Sequence, residues 1–232
     1  MKHFLEKGFE IHRGVIPAEE IEAWRVEADR VASEAGSVCV RHLNSRSENF
    51  RNLALSESIG GMLPTGFVPV RSILFDKTRE QNWPVLWHQD LTIAVEGRAE
   101  LEGFGPWSVK EGVTHVQAPS ALLERMITIR IHLDLTTDRN GALKVIPGSH
   151  RLGIIPRELI SGHLAGEEVV CECGPGDVLL MSPLLLHASG RTTEPTRRRI
   201  IHFEYAPPQH LPHPITWHEN FADSATSSHS PS

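Results

Sequence analysis

The chain has 232 residues, a length that suits one domain of the barrel or sandwich type. Hydrophobic residues make up 40% and charged residues 22%, ordinary globular usage that allows a packed core. A formal net charge of -6 excludes a general nucleic-acid binder and a partner for anionic membranes, because no basic excess exists to neutralise phosphates.

No apolar run is long enough to span a bilayer, and the opening, Met1 to Lys7, shows no secretory h-region. Three cysteines (Cys39, Cys171 and Cys173) are too few and too close for a disulfide framework, so a cytoplasmic location is expected. Fourteen histidines against 6% aromatics direct the search to a metal site.

In chain order, Gly8–Val15 alternates like a short strand. A helix is predicted over 17–35, with Pro17 in its first turn and Ile21, Trp24, Ala28, Val31 and Ala35 at helical spacing. Gly36 is its stop. From about residue 66 the texture is β, with strands at Val68–Phe75 and Pro84–Leu91. In Ile127–Leu135 the aliphatics fall on one face and Thr128, Arg130, His132 and Asp134 on the other. Asn140-Gly141 reads as a hairpin turn returning Ala142–Ile146 as partner strand. A second hairpin is expected from Val169–Cys173 through Gly174–Asp177 to Val178–Met181, and Leu184–His187 and Arg198–Tyr205 close the β region. Residues 95–123 break the rhythm and read as a long, lid-like loop. The division expected is one domain over 1–221, followed by a disordered tail over 222–232.

The chemistry is carried by Trp87-His88-Gln89-Asp90. Residues two apart on a strand point to one side, so His88 and Asp90 present an imidazole and a carboxylate together. His187 ends the apolar run Val178–Leu186 and supplies a third ligand from a late strand. Two histidines and one carboxylate occupy one face of an octahedral ion and suit Fe(II). The pattern has a decoy, His132-Leu133-Asp134, which lies at a strand end with fewer strands left before His187. Arg198, eleven positions after His187, is the one of Arg197, Arg198 and Arg199 expected to face inward, where its guanidinium can clamp a dicarboxylate. His202, His210, His213 and His218 read as surface, and Cys171 and Cys173 as strand packing.

These segments, with Pro147-Gly148-Ser149-His150, Gly176-Asp177-Val178 and His187-Ala188-Ser189, resemble the phytanoyl-CoA dioxygenase (PhyH)-like family of Fe(II)/2-oxoglutarate-dependent oxygenases. The resemblance implies a double-stranded β-helix (jelly-roll, cupin-like) fold, mainly β with flanking helices. It implies His88, Asp90 and His187 as iron ligands and Arg198 as anchor of the distal carboxylate of 2-oxoglutarate. Ser189 would help hold that carboxylate, and Gln89 would lie near the co-substrate. The keto-acid end would chelate the iron, O2 would be consumed with ascorbate as a supporting reductant, and succinate and CO2 would leave as a small-molecule substrate is hydroxylated. Related halogenases replace the carboxylate with a small residue, so Asp90 favours hydroxylation. The likeness thins over 95–123, where Trp107, His115 and Gln117 are candidates to close over a substrate. The competing readings are a cupin-like metalloenzyme without 2-oxoglutarate and a non-catalytic binding module on the same fold.

Overall fold

Period-two alternation decides which face of each strand meets which layer, and here it builds two facing antiparallel sheets with a cavity between them. The computed structural model describes residues 2–78, 81–192, 196–207, 211–219 and 221; His210 and the tail 222–232 lie outside the described residues. The strands are β1 (Phe9–His12), β2 (Cys39–Arg41), β3 (Val68–Lys77), β4 (Val85–His88), β5 (Thr92–Glu96), β6 (Trp107–Lys110), β7 (Val113–Gln117), β8 (Ile127–His132), β9 (Leu143–Val145), β10 (Val169–Cys171), β11 (Val178–Met181), β12 (His187–Ser189), β13 (Arg198–Ala206) and β14 (Thr216–Trp217). The major sheet runs β1-β11-β8-β13-β3-β2 and the minor sheet β10-β9-β12-β4. A third sheet, β14-β5-β7-β6, sits beside them.

The outer face of the major sheet is apolar. Ile129 and Ile131 of β8 and Ile201, Phe203 and Tyr205 of β13 pack against Ile21, Ala28 and Val31 of one helix and Phe50 and Leu53 of another. The first of these helices spans Ile21–Ala35 after a short turn at Ala18–Glu20 and ends at Gly36 with φ 58, as the spacing predicts. Between the two sheets, Leu143, Val145, Cys171, Leu179 and Met181 fill one end of the interior. Burial pushes the Cys171 and Cys173 thiols up to about 12, consistent with packing.

Both expected hairpins are corrected. Leu143–Val145 pairs with β10 and β12 in the minor sheet, not with β8. Asn140 ends a short turn, where its side chain accepts from Thr137 N at 2.8 Å and donates to Leu135 O at 2.7 Å. Gly141 follows at φ 80, and a Cβ there would lie 2.6 Å from Gly190 O, so the Asn-Gly pair is a crossing between sheets that only glycine fits. Likewise β11 pairs with β1 and β8, while β10 stays in the minor sheet. Residues 95–123 are corrected too, because they carry β6, β7 and a short helix, Ser120–Leu123, that pack around Val116, Leu122 and Leu123.

The crossing at Gly174–Asp177 is tied to the N-terminal strand by one side chain. Asp177 accepts from Arg13 Nη1 at 2.6 Å, Gly14 N at 2.9 Å and Gly174 N at 2.7 Å. Burial opposes its charge, but these donors hold its carboxyl below the usual range. Asp177→Ala should cost about 2 kcal/mol and lower Tm by about 4–8 °C, read by thermal and denaturant unfolding. Because the carboxyl titrates lower when folded, this stabilisation is present at neutral pH and is lost as pH falls through its folded-state value.

Candidate metal centre

Direct pairing between β4 and β12 sets His88 opposite His187, so the two imidazoles face the cavity as cross-strand neighbours with ring centres 4.1 Å apart. Trp87, alternating with His88, goes the other way and packs on Ile146, Ile155, Ile160 and Leu186. Strand β4 ends at His88, so Asp90 does not share a strand face with it as the spacing predicts. Instead the Asp90 amide donates to Pro183 O at 2.8 Å, which turns the carboxylate back toward both imidazoles. Its two oxygens lie 3.6 Å from His88 Nε2 and 3.6 Å from His187 Nε2.

These separations are long for hydrogen bonds and suit three ligands of one cation. The ligand atoms of His88, Asp90 and His187 lie within 4.8 Å of one another, and no other group of three or more His, Cys, Asp or Glu does so among the described residues. The tautomers agree with ligation. His88 Nδ1 donates to Leu86 O at 2.8 Å and His187 Nδ1 to Leu185 O at 2.8 Å, leaving each Nε2 lone pair aimed inward. Burial disfavours the Asp90 charge, yet His187 and His88 outweigh it and hold the carboxyl well below the carboxylate range. Burial pushes His187 down to about 4, so it is a neutral ligand at pH 7, whereas Asp90 outweighs burial and raises His88. The residues present therefore fit a divalent transition metal.

The cavity beside the triad measures about 180 Å³. Arg198 lines it at 3% exposure, with Nη1 donating to Gly141 O and Nε buried without a partner. Its neighbours Arg197 and Arg199 face outward onto Asp76, Asp29 and Asp134, as alternation requires. Ser189 lines the cavity beside it and accepts from Lys77 Nζ at 2.9 Å. Burial, with Arg198 and Arg130 close by, lowers Lys77 to about 7; burial and Arg130 lower Arg198 to about 9, still charged at neutral pH.

Gln89 is corrected. It does not line the cavity, because Nε2 donates to Gly153 O at 2.8 Å and Leu184 O at 2.7 Å while Oε1 accepts from Ile155 N at 2.8 Å. It pins the backbone between His88 and Asp90. The decoy pair does not converge, since His132 is buried against Thr136 while Asp134 is held by Arg199 and Arg25. His202, read as surface, is 3% exposed and lines the cavity, whereas His213 is exposed. Trp107, His115 and Gln117 are strand residues that do not line it. Sequence reasoning missed Lys77 and Arg71, although alternation from Phe75 and Ile73 along β3 would have found both.

The phytanoyl-CoA dioxygenase (PhyH) family model matches residues 4–200. L-proline trans-4-hydroxylase of Streptomyces griseoviridis is 30% identical over 162 residues, 57% of this chain and 52% of that protein, so the chain spans about half the length of this curated relative. The non-heme alpha ketoglutarate dependent carbocyclase SnoK from nogalamycin biosynthesis superposes at TM-score 0.69 and 18% identity, over 99% of this chain and 89% of that one. HygX from Streptomyces hygroscopicus, with nickel and 2-oxoglutarate bound, gives TM-score 0.61 and 19% identity over 88% and 84%. At such identities the likeness shows the fold, the double-stranded β-helix expected from the sequence.

Removing one imidazole should separate the triad from the decoy. His88→Ala is expected to weaken Ni(II) binding by about 100-fold or more, while His132→Ala leaves it within about threefold, measured by isothermal titration calorimetry. The opposite pattern would move the metal to the second His-x-Asp pair.

Proposed function

Because the chain belongs to the phytanoyl-CoA dioxygenase family, we propose that it is an Fe(II)- and 2-oxoglutarate-dependent oxygenase that hydroxylates a small molecule, with His88, Asp90 and His187 holding the iron. The observation that carries the reading is a cluster of three candidate ligands opening on a cavity whose nearest wall holds two basic side chains, Lys77 and Arg198, with no carboxylate paired to either among the described residues. Bound iron supplies O2 activation coupled to decarboxylation of the keto acid to succinate and CO2.

The chain's own residues do the rest. Arg198 is fixed by Gly141 O and keeps a free guanidinium edge for a carboxylate. Lys77 is steered by Ser189 Oγ and by Gly190 O at 3.3 Å, and its ammonium lies 5.2 Å from the Trp83 ring centre. Ser189, accepting from Lys77, retains its own hydroxyl proton to donate. Together they hold the distal carboxylate of 2-oxoglutarate, and the Val85 and Leu143 side chains form an apolar part of the same cavity wall. A carboxylate at position 90 and the likeness to a proline hydroxylase support hydroxylation as the outcome, and L-proline is the first substrate to test.

Succinate release from 2-oxoglutarate should require added Fe(II), and Arg198→Glu should abolish it while Ni(II) still binds. Release without iron, or undiminished in Arg198→Glu, would sink the reading. Lys77 gives a second test. At pH 8 it is mostly neutral in the empty cavity, and a bound dianion raises its pKa, so binding should take up close to one proton. Calorimetry in buffers of different ionisation enthalpy reads that uptake, and Lys77→Met should remove it.

A further inference from the structure

Among the described residues, Arg130 is the one cavity cation that the proposed iron and co-substrate leave without an anion. Arg41, Arg71, Lys77, Arg130 and Arg198 line the cavity against two carboxylates, Asp90 and Glu204. Asp90 belongs to the metal cluster. Glu204 is taken by Arg71 Nη1 at 3.0 Å, and Arg41 by Glu111. Of the two carboxylates of 2-oxoglutarate, the keto-acid end goes to the metal and the distal end to Lys77 and Arg198. Arg130 remains, 7% exposed, its guanidinium carbon 5.4 Å from the Phe75 ring centre and its Nε buried with no hydrogen-bond partner.

The guanidinium is also held rigidly. Its Nη1 donates to His202 Nδ1 at 3.2 Å, so His202 carries its proton on Nε2 and donates to Glu204 Oε1 at 3.3 Å. Arg71 closes the chain on the same oxygen. His202 is thereby spent as a spacer. Of the two carboxylates lining the cavity, Asp90, whose charge reaches Arg130, belongs to the metal cluster, while Glu204 is held by Arg71. Register places this row beyond the Lys77–Arg198 pair, since His202 stands opposite Arg130 and Ile73 while Arg198 stands opposite Lys77. The side of the cavity toward the third sheet is basic as well. Burial, with Arg71, Lys110 and Arg41 nearby, pushes His115 down to about 4.

We infer that Arg130 anchors a carboxylate of the substrate itself, so that this enzyme acts on small carboxylic acids. The inference rests on the oxygenase reading above and adds the substrate class to it. A planar, always-charged group held by one edge and free along the other matches a carboxylate bidentately. The chain from Arg130 through His202 and Glu204 to Arg71 fixes where that carboxylate sits relative to the metal, which makes His202 and Glu204 positioning residues.

The test uses the full chain loaded with Ni(II) and 2-oxoglutarate, titrated calorimetrically with short carboxylic acids, L-proline among them, and with the matching carboxamides. At least one acid should bind, and its amide should bind about 30-fold more weakly or worse, the lower end for a broken buried charge pair. Arg130→Gln should close that gap to about threefold while leaving the 2-oxoglutarate Kd within about threefold, and Arg130→Lys should restore part of it. The acid-against-amide comparison on the unaltered protein stands even if a variant fails to fold. The inference falls if no acid in the set binds at about 10 mM, if acid and amide bind alike, or if Arg130→Gln weakens 2-oxoglutarate as much as the acid. Failure of the oxygenase reading is distinct: the unaltered protein with Ni(II) would then not bind 2-oxoglutarate at all.

Discussion

Lys77, Arg130 and Arg198 are basic side chains turned into the space between two sheets where, among the described residues, no carboxylate forms an ion pair with them. Desolvating a charge without a partner costs several kcal/mol, so the rest of the fold has to hold this wall in place against its own repulsion. It does so by turning the apolar sides of β8 and β13 outward onto the helices, where Ile129, Ile131, Ile201 and Phe203 are fully or almost fully buried. The major sheet is therefore anchored from behind. Its front is free to be polar, and burial first, with the neighbouring cations second, lowers both Lys77 and Arg198.

The same alternation explains what could be read from the chain. In Ile127–Leu135 the division into an aliphatic and a polar face is plain, and so is the inward position of Arg198 between two outward arginines. His88, Asp90 and His187 converge as their spacing suggests, although Asp90 gets there by a turn rather than by strand geometry. What local pattern could not say is which layer a polar face meets. Thr128, Arg130 and His132 would show the same periodicity against water as against a cavity, and His202 shares its tract with His213, which is exposed.

Sheet membership was beyond reach for a related reason. Asn140-Gly141 and Gly174–Asp177 have the chemistry of tight turns, and a turn residue satisfies its own backbone alike in a hairpin or a crossing. Only the remote contacts decide, such as Gly190 O packed against Gly141 and Asp177 gripping Arg13 and Gly14. Gln89 was misplaced because its partners, Gly153, Ile155 and Leu184, lie more than 60 residues away in sequence. In residues 95–123, glycines and prolines obscured two strands that pair with each other and, through β7, with β5.

The three side chains of the candidate metal cluster do not stand on equal footing. Both imidazoles belong to the ladder between β4 and β12, so their placement is fixed by backbone pairing and by carbonyls two residues upstream. The carboxylate is carried on a short extension past the end of β4. Scaffold and reactivity are thus divisible at a single peptide: the side chain at position 90 can be exchanged without unpicking a strand, whereas neither imidazole can move unless the minor sheet moves with it. An architecture of that kind leaves the cluster open to revision on one side only, the side that no ladder holds.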